Sequence, residues 1–235
     1  MFRGLHCNVI MELTASSPES WSRAAVLRLL SEQRMKTYLD ATSGDLELAF
    51  DLYARNLQIS SILLKTTAMV EVIMRNAIDS VLVGWNTAIQ FADDWFDLPL
   101  LDKHARNDVA QARTRILRRG CPVDHDKTVA ELSFGFWRFL TTRRYHASLW
   151  VPALHRAFPN GNPDLRQRQR EVSRLLCSMT FIRNRAAHLE PMFRRNMTRD
   201  AAQAKQLLGW ISEDAVLWFD DVMGTDVQMQ ISLFS

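Results

Sequence analysis

LELAFDLYARNLQISSILLKTTAMVEVIMRNAIDSVLVGW, residues Leu46–Trp85, is the stretch that decides the fold. It contains no proline, and no glycine before Gly84. Glycine loosens a helix interior and proline breaks its hydrogen-bond ladder, so a long run free of both reads as helix. Because it exceeds the usual length of a globular helix, one interruption is expected near Lys65–Thr67. Ser43-Gly44-Asp45 supplies the break in front of it and a plausible N-cap.

Helical spacing continues on both sides. Trp21, Ala25, Val26, Leu29, Leu30 and Met35 place one apolar face on a helix from Trp21 to Leu39. A further helix is expected from Leu101 to Arg119, stopped by Gly120 and Pro122. Thr128-Val-Ala-Glu131 matches a capping box and opens the aromatic segment Leu132–Leu140. Another helix begins near Tyr145 and is bent or restarted by Pro152. Asn162 with Pro163 reads as an N-cap and first helical position, followed by helix from Asp164 to His188. Thr198 caps a last helix from Arg199 to Val222. Residues 1–20 are expected to be a flexible N-terminus, and 224–235 a loose tail or short docked strand. Alternation with period two is nearly absent. The expectation is all-α: a single domain over residues 1–235, built as a helical bundle with additional helices.

Composition narrows the function classes. The chain has 235 residues, 47% hydrophobic and 23% charged, with eight Gly and seven Pro. These are ordinary values for a globular protein poor in hairpin turns. Cys7, Cys121 and Cys177 stand far apart and form no CxxC pair, which argues against a zinc site or a disulfide framework. The N-terminus lacks a signal-peptide core, no apolar run is read as approaching a membrane span, and the reduced thiols fit a cytoplasmic protein. Net charge is only +3, but Leu165–Arg199 holds nine Arg against Glu171 and Glu190. Such a local basic segment attracts phosphate; its alternative is a solvated Arg-rich helix face.

Within that segment Phe181-Ile-Arg-Asn-Arg-Ala-Ala-His188 carries a chemical pattern. Asn184 and His188 share a helix face, and the long Arg183 side chain can reach the same pocket. A histidine moves protons near neutral pH. An arginine binds phosphate through paired hydrogen bonds and stabilises charge developing on phosphorus. Asn184 can orient imidazole or substrate. With RNA the 2′-hydroxyl is a built-in nucleophile, so the chemistry requires no metal and no cofactor. The spacing alone is weak, since chance supplies Arg-x4-His about 0.6 times in such a chain. Arg118 and Arg119 with His125 form a looser pair, but Gly120 and Pro122 separate them.

A second polar island, Glu71-Val-Ile-Met-Arg75-Asn76, sits inside the apolar helix. Glu71 and Arg75 have the favourable i,i+4 order for an ion pair, and charges in such a stretch need partners. Glu71 or Asn76 can meet the Arg183/His188 helix across the bundle; a purely intrahelical salt bridge is the alternative. Phe134, Phe136, Trp137, Phe139, Tyr145 and Trp150 could stack bases, though such clusters are more often core or a dimer surface. Arg166, Arg168, Arg170 and Arg174 could track an RNA backbone, as could Arg185, Arg194, Arg195 and Arg199.

Taken in order, four pieces resemble the Abi-like (abortive infection) proteins of the HEPN superfamily. They are Leu57–Ile78 with Glu71-x-x-x-Arg75-Asn76, Leu132–Trp137, Leu149-Trp150 leading to Phe158-Pro159, and Ile182–Phe193. The resemblance implies a HEPN-like bundle that dimerises and sets two Arg-x4-His motifs face to face as a composite RNA-cleaving site. It implies Arg183 and His188 as the catalytic pair, Asn184 as the accompanying polar residue, and Glu71, Arg75 and Asn76 as support. Arg185, Glu190, Arg194 and Arg195 are the adjoining candidates for RNA contact. Many relatives carry a second histidine directly after the first, where this chain has Leu189. The expected function is an endoribonuclease of phage defence or a growth-arresting toxin, a cytoplasmic homodimer with RNA as substrate and an antitoxin or phage trigger as partner. The alternatives are a non-catalytic HEPN module binding RNA or protein, and an antitoxin-controlled scaffold.

Overall fold

In the computed structural model, residues 21–90 and 92–234 are described, with side chains up to residue 224. Every regular element among them is helical, so the chain is all-α. The nine α-helices are α1 Arg23–Leu30, α2 Glu32–Ala41, α3 Leu46–Ile89, α4 Lys103–Arg118, α5 His125–Glu131, α6 Phe134–Leu140, α7 Leu165–Ala187, α8 Met197–Ile211 and α9 Glu213–Phe234. The chain divides into two compact units, residues 1–53 and 54–235.

In the first unit the expected single helix over 21–39 is two. Ser31 has φ 76°, breaking the run, and its hydroxyl accepts from the Arg34 N–H to cap α2. Trp21 packs edge-on against Phe50, and Tyr38 against Tyr53, each pair with ring centroids 5.2 Å apart.

α3 runs 44 residues without the interruption expected near Lys65–Thr67. Thr67 stays in the helix because its hydroxyl donates back to the Leu63 carbonyl at 2.8 Å. Asp45 caps its start by accepting from the Leu48 N–H at 3.0 Å, and Gln90, at φ 50°, ends it. By length and composition alone α3 could cross a membrane, contrary to the expectation from composition. Yet Ile59, Leu63, Val70, Met74, Ile78 and Leu82 are buried in the core of the second unit, where a core helix satisfies the same test.

Around α3 that core gathers Val109 and Ala112 of α4, Phe134, Phe136 and Trp137 of α6, and Leu207 and Leu208 of α8. From α7 come Val172, Leu175, Leu176, Met179, Ile182 and Ala186, an i, i+3, i+4, i+7 stripe. The aromatic segment is therefore core. Phe134, Phe136, Trp137, Tyr145 and Trp150 are at most 2% exposed, which removes them as base-stacking surfaces.

Three caps differ from expectation. Thr128 and Glu131 form no capping box; Asp124 caps α5, Ser133 caps α6, and Glu131 instead binds Arg115 and Arg119. Asn162 does not cap α7; it accepts from the Asp164 N–H at 3.0 Å, and Asp164 is the cap. Asn196, not Thr198, caps α8, and the extended Ser212 divides the last expected helix into α8 and α9. α9 continues as helix to Phe234, where a loose tail or strand was expected. Between α6 and α7 the expected helix is three short pieces: 3-10 turns at Arg143–Tyr145 and Leu154–Ala157, and a π turn at His146–Trp150.

Candidate functional site

α7 ends at Ala187, and His188 is its C-cap residue, one step beyond the helix. Leu189 follows with φ 51°. Its N–H donates to the Ala186 carbonyl at 3.0 Å, and the Glu190 N–H donates to the Arg185 carbonyl at 3.0 Å. This pair of reversed hydrogen bonds is a Schellman closure, which normally favours glycine at the left-handed position. The imidazole is thus carried on a fixed reverse turn at the helix end, and it is solvent-exposed.

Arg183 lies one turn earlier. Its Nη1 donates to the Asn184 amide oxygen at 3.3 Å, so Asn184 engages the guanidinium. Across the bundle stands Glu71 of α3. Burial pushes its carboxyl above the ordinary range, and three groups oppose that shift: Arg183, then Arg75, then the backbone N–H of Phe134 at the start of α6. Arg183 on another helix thus acts on Glu71 through its charge, as Arg75 does, and neither forms an ion pair with it within 4 Å. The expected i,i+4 ion pair is not formed within 4 Å, and Arg75 keeps its Nε buried with no hydrogen-bond partner among the described residues. A buried guanidinium donor in that state retains capacity for an acceptor. Asn76 is exposed and takes no part in this cluster.

The candidates for RNA contact separate into two kinds. Arg195 is bound bidentate to Asp200, whose side chain is 3% exposed, and is a structural tie. Arg185 Nε lies 2.9 Å from Glu190 Oε2, and its Nη2 donates to the Pro191 carbonyl at 3.2 Å, so Arg185 and Glu190 hold the turn after His188. Arg168 points inward to the Asn162 and His155 carbonyls, which removes it from the expected Arg166–Arg174 track. Gly161 makes room for it, since a Cβ there would stand 3.0 Å from Arg168 Cγ. Arg194 and Arg199 keep exposed side chains.

Phe181 escaped the sequence reading as a surface residue. It is 50% exposed, with the guanidiniums of Arg185 and Arg195 stacked 5.5 and 5.8 Å from its ring centre. Its place opposite the buried stripe of α7 was the available signal.

A second titratable cluster lies elsewhere in this unit. His125, at the start of α5 and off the helix of Arg118, has Nδ1 3.0 Å from Asp94 Oδ2 and Nε2 3.0 Å from Asp79 Oδ1. Asp79 also accepts from Trp95 Nε1 at 2.8 Å. Burial lowers the imidazole's pKa, but hydrogen bonds to Asp94 and Asp79 and their charges outweigh it and leave the value raised.

Comparison of the chain with family models, with curated proteins and with solved structures gives no match.

Proposed function

We propose that this chain is a metal-independent endoribonuclease on a HEPN-like bundle, with Arg183 and His188 as the reacting pair. One observation carries the reading: Arg183, hydrogen-bonded to Asn184, and His188, on the closed turn that ends α7, are both exposed and stand about one helical turn apart. Asn184 accepts a hydrogen bond from the guanidinium, which helps to hold it in place, and such preorganisation is what stabilising charge on phosphorus demands.

The step is attack of the ribose 2′-oxygen on the adjacent phosphorus. The 2′-hydroxyl proton passes to an imidazole base, and the P–O5′ bond breaks as an acid protonates the leaving 5′-oxygen. The products are a 2′,3′-cyclic phosphate and a 5′-hydroxyl end. Two copies of His188 across a two-fold axis would supply base and acid, so the enzyme is a homodimer. Its setting is cytoplasmic phage defence or toxin action, released by a phage trigger or held by an antitoxin.

The test is to express wild type and His188→Ala and map cellular RNA ends. New 5′-hydroxyl termini appear with wild type alone and persist in EDTA. A binding module without catalysis gives none with either protein, and a strict requirement for divalent metal refutes the chemistry.

A further inference from the structure

One cavity of the second unit that lies apart from Arg183 and His188 is strongly basic. It encloses about 520 Å³ and is lined by Arg143, His146, Arg166, Gln169, Arg170 and Ser173. Three guanidiniums face one space whose lining contains no carboxylate. Arg143, Arg166 and Arg170 are exposed, and none forms an ion pair among the described residues. Like charges held together unpaired repel one another, so the arrangement is stabilised by an anion.

The floor of the cavity is built. Gln169 is 4% exposed; its amide donates to the Thr142 carbonyl at 2.8 Å, which fixes the carbonyl end of the side chain toward His146. That carbonyl oxygen lies 2.5 Å from His146 Nδ1, so Nδ1 is the donor of this bond. His146 opens the π turn, in which the Val151 N–H donates to the His146 carbonyl at 2.9 Å. The turn is held by buried Leu149 and by Trp150, whose indole N–H donates to the Leu165 carbonyl at 2.8 Å. π turns recur where a backbone is widened for a ligand. No Phe, Tyr or Trp lines the cavity, and its three guanidiniums suit a phosphoryl group.

Its place on α7 indicates where that phosphoryl group comes from. Arg166 precedes Asn184, and Arg170 precedes His188, by 18 residues. Eighteen residues are five helical turns, so each pair lies on nearly the same side of the helix, about 27 Å apart. The face between carries Ser173, Cys177 and Phe181 and no acidic residue.

We propose that this cavity is a phosphate-binding pocket that anchors the RNA strand whose scissile phosphate lies at Arg183 and His188. The source of the phosphate rests on the ribonuclease reading; the anion chemistry of the pocket does not.

The experiment uses the full chain with His188→Ala, so that RNA stays intact, with and without Arg166→Ala/Arg170→Ala. Fluorescein-labelled uridine strands of 3 and 12 nucleotides are titrated by anisotropy across salt concentrations, and a thermal melt checks folding. At about 3.4 Å per stacked nucleotide the 3-mer cannot bridge the two sites, and the 12-mer can. The double variant is expected to weaken 12-mer binding about tenfold. It also lowers the salt slope by about 0.7, for the one phosphate the pocket holds. The 3-mer is expected to bind both proteins alike at the Arg183 end. Unchanged 12-mer affinity and slope overturn the proposal. Calorimetry with inorganic pyrophosphate and with ATP distinguishes the other source. Arg166/Arg170-dependent binding of either, with no effect on the 12-mer, assigns the pocket to a free ligand and overturns the strand anchor. If wild type cleaves no RNA while the length-dependent loss persists, the ribonuclease reading fails and the anchor stands.

Discussion

Replacing His125 by alanine is expected to destabilise the protein, and by more at pH 6 than at pH 9. Both ring nitrogens face carboxylates, at 3.0 Å each, so both carry protons in the favoured folded state and the ring is a cation. Its folded pKa is raised above the ordinary 6.5. For a raised base the linkage runs one way: the stabilisation is fully present below about 6.5 and is lost as pH climbs through the folded value. Two charge-assisted hydrogen bonds at about 1.5–3 kcal/mol each set the upper bound. The ring is 29% exposed and its partners 17% and 21%, so solvent screening trims this, and about 2–3 kcal/mol is the figure expected at pH 6. Neither carboxylate is abandoned by the substitution: Asp79 keeps Trp95 Nε1, and Asp94 keeps the Phe96 N–H and has Arg113 3.9 Å away. The loss should therefore not grow into the larger penalty of a stranded buried charge. At about 2–4 °C per kcal/mol for a chain of this size, Tm falls by about 5–10 °C at pH 6. At pH 9 the neutral ring still donates one bond, and the deficit shrinks to about half. Urea titrations followed by tryptophan fluorescence at the two pH values measure both numbers, and the imidazole proton shifts in NMR report the titration directly. A deficit that is equal at both pH values, or larger at pH 9, would refute the doubly clamped imidazolium.

Glu71→Gln should raise Tm by about 1–3 °C at pH 7 and have no stabilising effect at pH 4, because a carboxyl whose folded pKa is raised favours folding only while protonated. The same variant removes a negative charge that acts on Arg183, so RNA binding by anisotropy should tighten severalfold while cleavage falls; weaker binding would show that Glu71 does not oppose that guanidinium. Arg195→Ala strands the buried Asp200 carboxylate and should cost about 2–4 kcal/mol in a denaturant titration. Arg194→Ala, exposed and stacked on Phe193, should change stability by less than about 0.5 kcal/mol.

The helical class was legible because nothing in Leu46–Trp85 opposed a helix, and the core stripe of α7 was legible from its spacing. What escaped was local competition for hydrogen bonds. Thr128 and Glu131 satisfy the capping-box pattern, but Asp124, four residues before Thr128, caps first and leaves Thr128 inside α5. Asn162-Pro163 looks like a cap pair, yet the Asx turn it makes passes the cap to Asp164. The Arg-rich segment read as one basic surface divides once contacts are known. Arg168, Arg185 and Arg195 bind carbonyls or carboxylates of the fold, while Arg166, Arg170 and Arg194 stay outside. Composition cannot distinguish these two kinds of arginine, because the difference lies in which residues the backbone turns bring within reach. That Glu71 meets the Arg183 helix was among the open alternatives; Arg183 acts on it through charge, and burial raises its pKa.

The helix-wheel argument for Asn184 and His188 assumed one uninterrupted helix, and α7 stops between them. His188 still makes the ordinary helical bond, its N–H donating to the Asn184 carbonyl at 3.1 Å, and the two bonds that follow it close the turn behind it, so the backbone that carries the imidazole is held on both sides. Leu189 holds that closure in a left-handed conformation that an unbranched-Cβ residue adopts at a cost of about 1 kcal/mol and that histidine and asparagine enter more readily. The turn therefore needs its geometry more than any particular side chain at 189. Leu189 carries that left-handed step, and the bonds on either side of it hold the backbone that positions His188.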